Sequence, residues 1–344
     1  MLMFVLALPE LERRYNSHSI PASIDLSVDE VSMKILAISG GTKDGSNDAM
    51  AKEALMGAKE AGAEIEFIRL HDLDLRPCTG CIGCVTGLMR GTNGDCVIKD
   101  DMKWLDEKLM EASGVIWAMP IFEKGVPAVM HIVQDRLFGP AHDTGVNRIA
   151  EKISAQTGKP GPDKRKFDRK VTSFIAIGGS DWSTKVSSDF NLAAMSTMWT
   201  VVDDAVFQWS KSIILNDAAI AKCHQIGINI ARAAADIDNA KYLGDPGICA
   251  NCHSRNFFLD SAGKAICEVC GITGELKSTN GKLEFVFPPE QYEHAHNTMP
   301  GKFRHMDDMY RIETQLAADK KTPEFKARVE KYRAFISPSK PAKQ

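Results

Sequence analysis

The chain has no long apolar segment. None of its hydrophobic runs approaches the roughly 18–20 residues that a helix needs to span a bilayer, so the sequence predicts no membrane helix. An excess of charge of one sign is also missing, because 42 basic and 45 acidic side chains leave a net charge of −3. Nothing in this balance favours nucleic acid or a membrane surface as a partner. The apolar residues 1–8 lack a basic leader, which makes them a poor secretory signal.

Cysteines suited to long disulfide cross-links are missing as well. Eight of the nine cysteines fall into two tight sets of four, and most neighbours within a set are separated by two residues. Such spacings link distant segments poorly and are typical of metal or redox sites in a reducing compartment. We therefore expect a cytoplasmic protein with two metal sites. The ninth cysteine, Cys223, falls at helical spacing from apolar neighbours and is predicted to be a buried core thiol.

What the sequence does contain is a regular alternation of strand and helix patterns. Short apolar or alternating runs predict strands at 34–38, 63–70, 114–118, 171–177 and 201–209. Helical patterns lie between and after them, at 47–61, 101–112, 126–137, 188–198 and 217–239. This alternation predicts an α/β fold with a doubly wound, five-stranded parallel sheet. Residues 139–170 look irregular, and their basic stretch is interpreted as a solvated loop or as a site that attracts a nucleotide phosphate.

Changes in composition and residue pattern along the sequence divide the chain into four parts. Met33 stands directly before the first strand, so residues 1–32 are interpreted as an N-terminal extension. We predict the α/β domain at 33–245 and a small four-cysteine module at 246–288. A charged, helical tail follows at 289–344.

The loop after the first strand has the features of a phosphate site. Residues 39–47 read Ser-Gly-Gly-Thr-Lys-Asp-Gly-Ser-Asn and lead into a helix. Glycines let a ligand approach the backbone, hydroxyls donate hydrogen bonds, and the start of a helix attracts an anion. Ser46 and Asn47 replace the Lys and Ser/Thr of a nucleoside-triphosphate loop. The loop therefore predicts a monophosphate such as that of FMN, with Ser39, Gly41, Thr42, Ser46 and Asn47 as binding residues.

Two further loops leave the carboxyl ends of the third and fourth strands. In an open parallel sheet these ends form the crevice in which ligands bind. Residues 119–128 are apolar and stiffened by proline, and residues 178–182 begin with two glycines. We expect the two loops to hold an isoalloxazine ring through Pro120, Ile121, Phe122, Gly125, Gly178, Gly179, Ser180 and Trp182. The alternative is that they are ordinary connections.

At these residues the sequence resembles the NAD(P)H-dependent FMN reductases of flavodoxin-like fold and, within that group, the iron–sulfur flavoproteins. The resemblance rests on residues 38–47, on 120–136 with its Asp-Arg end, and on 96–102, and it spans about 33–210. It implies bound FMN, reduction by NADPH or NADH, and a homodimer or homotetramer in which neighbouring subunits help wall the flavin. The first loop departs from the family's common Ser-Pro-Arg start.

The first cysteine set comprises Cys78, Cys81, Cys84 and Cys96. A Cys-x2-Cys-x2-Cys run can curl its thiolates around one cubane cluster, and a later cysteine completes the ligands. We predict a 4Fe–4S cluster here, close to the flavin. Iron–sulfur flavoproteins resemble this arrangement with a shorter last gap, which in this chain is 11 residues. The alternative is a set of reduced thiols without metal.

The second cysteine set comprises Cys249, Cys252, Cys267 and Cys270. Two Cys-x2-Cys pairs joined by a short hairpin predict a tetrahedral four-sulfur site, as in zinc ribbons. Zinc is the prediction, and rubredoxin-like iron stays open because it has the same ligand geometry. Acidic residues offset the basic ones nearby, so we expect a structural role and no nucleic-acid partner.

Together these features predict an oxidoreductase. A nicotinamide nucleotide would deliver hydride to N5 of FMN, and electrons would pass to a quinone, a flavin, an aromatic acceptor or a carrier protein. Because the cofactor carries this chemistry, no side chain is predicted as an acid–base catalyst. The alternative is a non-catalytic redox sensor or electron carrier that acts through a protein partner.

Overall fold

The computed structural model describes residues 33–341. The predicted N-terminal extension, residues 1–32, lies outside the described residues, as do residues 342–344. Within residues 33–341, no helix is both long enough and apolar enough to cross a membrane.

A five-stranded parallel sheet forms the centre of the α/β part. Its strands are β1 (Lys34–Ser39), β2 (Glu64–Arg69), β3 (Gly114–Pro120), β4 (Val171–Ile177) and β5 (Thr200–Phe207). They lie in the order β2-β1-β3-β4-β5, and every neighbouring pair is parallel. The apolar strands β3 and β4 are buried along nearly their whole length, as expected when helices cover both faces of a sheet. The predicted flavodoxin-like fold is confirmed.

Helices cover both faces of this sheet. They are α1 (Ser46–Glu60), α2 (Gly83–Met89), α3 (Met102–Glu111), α4 (Ala128–Val133), α5 (Thr144–Thr157), α6 (Val186–Thr197) and α7 (Asp217–Ala235). Side chains of α1 and α7 form the core on one face, and those of α3, α4 and α6 form the core on the other. Cys223 lies in the first of these cores, where burial raises the pKa of its thiol to about 12. The predicted core thiol is confirmed.

The backbones of α1 and α7 touch because each helix contributes a glycine. A Cβ atom at Gly227 would lie 1.7 Å from the carbonyl oxygen of Ala54, and one at Gly57 would lie 2.1 Å from that of His224. Both distances are far below van der Waals contact, so only glycine fits at either position. This close packing holds α1 against the sheet and thereby fixes where its first turn lies.

The prediction of irregular structure over residues 139–170 is wrong where α5 forms. The Asp143 carboxylate caps this helix by accepting from the backbone N–H of Val146 at 3.1 Å. The helix ends at Gly158, which takes a left-handed conformation with φ 70°. Val146 also packs against Leu88 of α2. The apolar residues Val146, Ile149, Ala150 and Ile153 recur at helical spacing, so the period is present in the sequence and the prediction overlooked it.

Only part of the basic stretch after α5 is the predicted solvated loop, because Lys164 and Arg169 are exposed but two of its lysines are not. Lys166 is buried, and its ammonium donates to the carbonyl oxygens of Asn93 at 2.8 Å and Ala141 at 3.2 Å. Lys170 is also buried and donates to the carbonyl oxygen of Met110 at 2.9 Å. Burial lowers the pKa of both amines. These lysines therefore hold backbone segments together and do not face a nucleotide phosphate.

Beyond α7 the chain forms a second, antiparallel sheet and a helical tail, as predicted. The strands are β6 (Phe257–Leu259), β7 (Ala265–Cys267), β8 (Thr273–Thr279) and β9 (Lys282–Val286), which lie in sequence order. The tail contains α8 (Met299–Asp319) and α9 (Pro323–Phe335). The Thr298 and Thr322 hydroxyls cap the two helices. α8 packs on α5, where the Lys302 ammonium lies 2.5 Å from the Asp143 carboxylate.

Candidate functional site

Four loops lie side by side at the carboxyl edge of the parallel sheet. They follow β1, β3, β4 and β5, and together they are called the rim (residues 40–45, 121–127, 178–185 and 208–212). The first loop donates a backbone hydrogen bond to β3, the second to β4 and the third to β5, with N···O distances of 3.0, 3.0 and 2.9 Å. The parallel register brings the strand ends to one level, so the three loops that were predicted to meet do lie together.

The first rim loop is held from within by Asp48. One oxygen of its carboxylate accepts from the Ser39 hydroxyl at 2.5 Å, and the other accepts from the backbone N–H of Asp44 at 2.9 Å. The Ser39 hydroxyl in turn accepts from the N–H of Gly41 at 3.1 Å. Ser39 and Asp48 are buried, whereas the tip of the loop around Thr42 is exposed. Ser39 therefore shapes the loop, and the tip is left to meet a ligand.

The start of α1 fits an anionic group. Its N-cap is Gly45, which has no side chain to cap the N–H groups of the first turn, and the positive end of the helix dipole lies there. The buried amide oxygen of Asn47 has no hydrogen-bond partner among residues 33–341, which leaves a place for a hydroxyl or N–H donor of a ligand. The Ser46 hydroxyl donates to the carbonyl oxygen of Lys211 at 3.1 Å. A phosphate with a polyol chain, as in FMN, matches this set of groups.

The second rim loop is a tight hairpin that exposes an aromatic ring. Phe122 and Gly125 exchange backbone hydrogen bonds of 3.0 and 2.9 Å. Between them Glu123 and Lys124 both take left-handed conformations, with φ 45° and 72°, as in a type I′ turn. Phe122 is 60% exposed. Asp189 fills the space behind the turn, where a Cβ atom at Gly125 would lie 2.2 Å from the carboxylate, so glycine is required there.

The third rim loop meets the second through a cation–π contact. The ammonium of Lys124 lies 5.1 Å from the ring centre of Trp182, a side chain that is 59% exposed. Gly178 lies against Ile121, whose Cδ1 would be 3.0 Å from a Cβ atom at the glycine. The Ser180 hydroxyl accepts from the N–H of Trp182 at 3.2 Å and shapes the turn. Residues predicted on two separate loops therefore line one surface.

The loop after β5 was not predicted from the sequence. The predicted fifth strand extends through Trp209, but β5 ends at Phe207. Trp209 instead lies in the rim with a left-handed φ of 54° and a 70% exposed side chain. Nearby, a Cβ atom at Gly179 would lie 2.6 Å from Cε of Lys211. The signal that could have revealed this loop is a tryptophan within the polar run Gln-Trp-Ser-Lys, directly after an apolar strand.

The second cysteine set forms a closed site of four sulfurs. All four side chains are buried, and their Sγ atoms lie within 4.8 Å of one another. The Sγ atoms of Cys249 and Cys270 are 3.7 Å apart, and those of Cys252 and Cys267 are 3.4 Å apart. Tetrahedral coordination with a Zn–S bond of about 2.3 Å needs sulfurs about 3.8 Å apart. The donor set and its spacing therefore fit a single metal ion.

Each cysteine pair of this site sits on the same kind of turn. The residue after the second cysteine is His253 in one pair and Gly271 in the other, and both are left-handed, with φ 60° and 79°. Each donates its N–H to the carbonyl oxygen of the first cysteine, at 2.8 and 3.0 Å. This turn curls the backbone so that the two sulfurs of a pair converge. The predicted hairpin between the pairs is formed by β6 and β7.

The four-cysteine module contacts the rim. The Asn256 amide donates to the carbonyl oxygen of Thr184, in the third rim loop, at 2.7 Å, and to the Ser188 hydroxyl at 3.0 Å. The Ser188 hydroxyl donates to the Glu268 carboxylate at 3.0 Å. Met195 of α6 belongs to the apolar core of the module. These contacts connect the metal site to a loop of the rim.

A buried carboxyl group lies where α6 covers β5. Asp204 has one side-chain oxygen without a hydrogen-bond partner in the described part of the chain. Burial raises the pKa of Asp204 to about 6, although hydrogen bonds from Ser187 and Asn191 favour the charged form. Because an unfolded aspartate titrates near pH 4, the folded protein binds this proton more tightly than the unfolded chain does. The contribution of Asp204 to the free energy of unfolding therefore decreases as pH rises from about 4 to 6.

We expect Asp204→Asn to raise the free energy of unfolding by about 2 kcal/mol at pH 8 and by less at pH 5, because the amide has no charge to desolvate. Urea unfolding at the two pH values measures the difference. Asp238→Asn, at an exposed position, is the control and should show no such dependence on pH. Equal stabilisation by Asp204→Asn at both pH values would contradict the assignment.

The first cysteine set lies on the segment between β2 and α3. Cys78 and Cys81 are exposed, and Cys84 and Cys96 are half-buried. All four belong to the described residues, and no three of their sulfurs lie within 4.8 Å of one another, so the set does not match a single-ion site. A cubane cluster is larger than one ion and holds its thiolates farther apart. Nε2 of His71, on the same segment, lies 3.1 Å from the carbonyl oxygen of the first rim loop's Gly40.

The 11 residues between Cys84 and Cys96 form an ordered segment. Helix α2 forms its first half, and beyond it Asn93 accepts from the backbone N–H of Asp163 at 2.9 Å. The carbonyl oxygen of Gly91 accepts from Gly161 at 3.2 Å. The gap is therefore tied to the segment after α5 and does not leave Cys96 on a free loop.

A profile of the family described as NADPH-dependent FMN reductase matches residues 33–211, just over half of the 344-residue chain. The chain belongs to this family. An FMN reductase needs a site for a phosphate and a flat ring at the carboxyl edge of its sheet, which is where the rim lies. The predicted enzyme class, an FMN oxidoreductase, is confirmed, and the redox-sensor alternative is not favoured.

Relatives of this FMN reductase differ in how much of the chain they match. A solved structure called flavone reductase is 46% identical, with a TM-score of 0.82, and covers 90% of this chain and 100% of its own. A flavone synthase from Aspergillus candidus is 25% identical over 294 residues, which is 80% of this chain and 88% of that protein. An iron–sulfur flavoprotein from Methanocaldococcus jannaschii is 37% identical over 105 residues. That match is 30% of this chain and 51% of the relative, so the chain spans about half of its length.

Proposed function

We propose that this FMN reductase uses NADPH or NADH to reduce a planar aromatic acceptor of the flavone class. The observation that carries the proposal is the rim, whose loops expose three aromatic side chains. They are Phe122, Trp182 and Trp209. Exposed rings are suited to stack on a flat, apolar ligand.

The names of two relatives support the flavone class. One is called a flavone reductase and the other a flavone synthase. A flavone carries a carbon–carbon double bond conjugated to a carbonyl group. Adding one hydride and one proton across that bond reduces it by two electrons, and NADPH supplies the hydride while becoming NADP⁺. Because the 46% identical relative is called a reductase, we propose the reductive direction for this chain.

We propose that the rim holds FMN. Thr42, Ser46 and Asn47 would bind the phosphate and the polyol chain, and Ser39 and Gly41 would keep the loop in shape. The second and third rim loops would hold the ring through Pro120, Ile121, Phe122, Gly125, Gly178, Gly179, Ser180 and Trp182. When bound, FMN accepts a hydride from the nicotinamide and supplies two electrons to the acceptor.

Positive charge on the rim supports a nucleotide as the electron donor. Lys124 lies on the second rim loop and Lys211 on the loop after β5, and both side chains are exposed. Cations at the mouth of a site raise the local concentration of phosphate-bearing ligands. The family description names NADPH, which is therefore the proposed donor, with NADH as the alternative.

We further propose zinc in the second cysteine set and a 4Fe–4S cluster in the first. Four buried thiolates leave no open position for a substrate, which is typical of structural zinc, and rubredoxin-like iron is the alternative. The support for the cluster is the Cys-x2-Cys-x2-Cys run together with relatives called iron–sulfur flavoproteins.

Anaerobic analysis of metal, sulfide and flavin per chain tests both metal proposals. We expect about four irons, four sulfides and one FMN, with about one zinc. Finding zinc but neither iron nor sulfide would contradict the proposed 4Fe–4S cluster. One iron without zinc would instead assign the second cysteine set to rubredoxin-like iron.

The resemblance to the family also leads us to propose a cytoplasmic homodimer or homotetramer. Analytical ultracentrifugation of the purified chain measures the subunit number, and a monomer at micromolar concentration would contradict the assembly. The boundaries at 245/246 and 288/289 stay predictions. Limited proteolysis that cuts preferentially near them would support these boundaries.

Anaerobic turnover by the purified, full-length chain tests the proposed activity. We expect NADPH oxidation to depend on added flavone, with one flavone consumed for each nicotinamide oxidised. A quinone and free FMN are tested separately as acceptors, which distinguishes a flavone reductase from a general flavin or quinone reductase. Activity with only these two acceptors would contradict the flavone class, and protein that neither contains nor binds FMN would overturn the proposal as a whole.

Replacing either rim tryptophan tests the stacking surface. We expect Trp209→Ala to raise KM for the flavone about fivefold, because an aromatic stacking contact contributes about 1 kcal/mol, and FMN content should change much less. Trp182→Ala should raise KM by a similar factor and should also lower FMN content, because Trp182 is proposed to hold the flavin ring. Trp104→Ala is the control, since this exposed tryptophan lies on α3, outside the rim. An unchanged KM in both rim variants would place the acceptor elsewhere.

A further inference from the structure

Arg136 is a buried arginine with unused hydrogen-bond donors. It lies in a π-helical turn, Gln134–Phe138, which directly follows α4. Its side chain is 1% exposed, and Nη1 donates to the Asp100 carboxylate and, at 3.0 Å, to the carbonyl oxygen of Arg76. Nε and Nη2 are also buried, but neither has a hydrogen-bond partner in the described part of the chain.

Such an arrangement is costly unless something else accepts from these donors. A buried donor that loses its partner costs about 1–3 kcal/mol, and more when the group is charged. Native structures rarely leave buried polar atoms unpaired, and the exceptions point to a bound ion or ligand or to a functional reason. Two unpaired nitrogens on one buried cation therefore point to an anionic acceptor beside Arg136.

The first cysteine set lies next to this cation. Arg76, whose carbonyl oxygen accepts from Arg136, stands two residues before Cys78. Asp100 stands four residues after Cys96, so Arg136 binds both ends of the cysteine segment. Through these two contacts the guanidinium lies between the stretch that begins the cysteine segment and the stretch that ends it.

A second buried cation lies behind the same cysteines. Lys166 holds the carbonyl oxygen of Asn93, within the gap between Cys84 and Cys96. Four thiolates bound to a 4Fe–4S core leave the group with net negative charge. Arg136 is already paired with the Asp100 carboxylate, so the charge that suits such a group is that of Lys166, whose ammonium donates to carbonyl oxygens.

We propose that Arg136 is a positioning residue for the iron–sulfur cluster: it fixes Cys96 against the three-cysteine turn and donates from its two unpaired nitrogens to sulfur atoms of the cluster. The inference rests on the cluster proposed for Cys78, Cys81, Cys84 and Cys96. It explains how a fourth ligand that is separated from the third by 11 residues is held in place. It also assigns a role to the Asp-Arg end of the 120–136 segment, which has no assigned role in the flavin site.

Two variants of the full-length chain test this role. Arg136→Gln combined with Asp100→Asn removes the cation without leaving a buried carboxylate unpaired, and Arg136→Lys keeps the charge but loses the planar fork. After anaerobic reconstitution with iron and sulfide, we expect cluster content in the double variant to fall about tenfold, as when groups that hydrogen-bond metal ligands are removed. FMN and the second metal site should be retained, which reports that the chain is folded.

Redox measurements separate this role from a general structural one. The cluster that still forms in the double variant should have a more negative midpoint potential, because the N–H donors proposed to stabilise the reduced cluster are lost, whereas removing Arg136 and Asp100 together leaves the net charge unchanged. Arg136→Lys should recover part of the cluster content, with an altered low-temperature EPR signal in the reduced state. Arg165→Gln is the matched control, since this arginine pairs with Glu107 and Asp163 and should leave cluster content and potential unchanged.

The outcomes distinguish the two proposals. If the wild-type chain takes up neither iron nor sulfide, the cluster itself is absent and the role of Arg136 is overturned with it. If the wild-type chain holds a cluster and both variants match it in content, potential and EPR signal, only the role of Arg136 is overturned.

Discussion

Replacing one ligand of the second cysteine set should unfold the module built around it. We expect Cys267→Ser to lower the zinc bound by this site from about one ion per chain to near zero, because the site then lacks one of four thiolates. The cysteines themselves form much of the module's core. Structural zinc contributes on the order of 10 kcal/mol to the folding of small domains, so little else can hold this one together. Metal analysis and proteolysis within residues 246–288 measure the effect.

The same variant should also impair the rim. Asn256 of the module holds the carbonyl oxygen of Thr184, and a displaced rim loop would misplace the acceptor. We expect turnover to fall about tenfold or more while the α/β domain stays folded and keeps its FMN. Cys223→Ala is the control, because it removes a buried cysteine from a different core and should keep the metal. A Cys267→Ser protein that retains both this metal ion and its protease resistance would contradict the prediction.

A negative charge at the start of α1 should abolish FMN binding without harming the fold. Ser46 is the first residue of the helix, where a carboxylate is itself favourable because it faces the positive end of the dipole. In Ser46→Glu that carboxylate would take the place of the phosphate and repel it. At a partly exposed site we expect about 3 kcal/mol of repulsion, or a Kd for FMN raised about 100-fold. Fluorescence titration of the flavin-free chain measures it.

Ser46→Ala provides the matched control for this experiment. It removes the hydroxyl that donates to the carbonyl oxygen of Lys211 but adds no charge. We expect Kd for FMN to rise only severalfold, since one neutral hydrogen bond contributes about 1 kcal/mol. Equal loss of FMN binding in both variants would mean that the hydroxyl, and not the charge, decides binding. Unchanged binding in Ser46→Glu would place the phosphate elsewhere.

Much of the fold could be read from local patterns. The strand predicted at 171–177 has the observed bounds of β4, and the other four strands lie within a few residues of their predicted places. The reason is that a strand buried on both faces must be apolar along its length. The two Cys-x2-Cys pairs were equally readable, because their spacing is dictated by the turn that brings two sulfurs together.

The errors have two causes. Lys166 and Lys170 look like surface residues in a basic stretch, yet backbone carbonyl oxygens from other parts of the chain satisfy their ammonium groups. In the other two cases a local signal was present and was overlooked: residues 144–157 carry apolar side chains at helical spacing, and the polar neighbours of Trp209 mark the end of β5.

The sequence by itself determined that this protein has a parallel sheet, a loop fit for a phosphate after the first strand, and a tetrahedral sulfur site. Each of these depends on residues that are close in the chain. Only the tertiary structure decided that the β5 loop joins the rim, that Asn256 connects the metal module to Thr184, and that Arg136 binds Asp100. These relations join residues 36 to 165 positions apart, and no local pattern encodes which distant residues will touch.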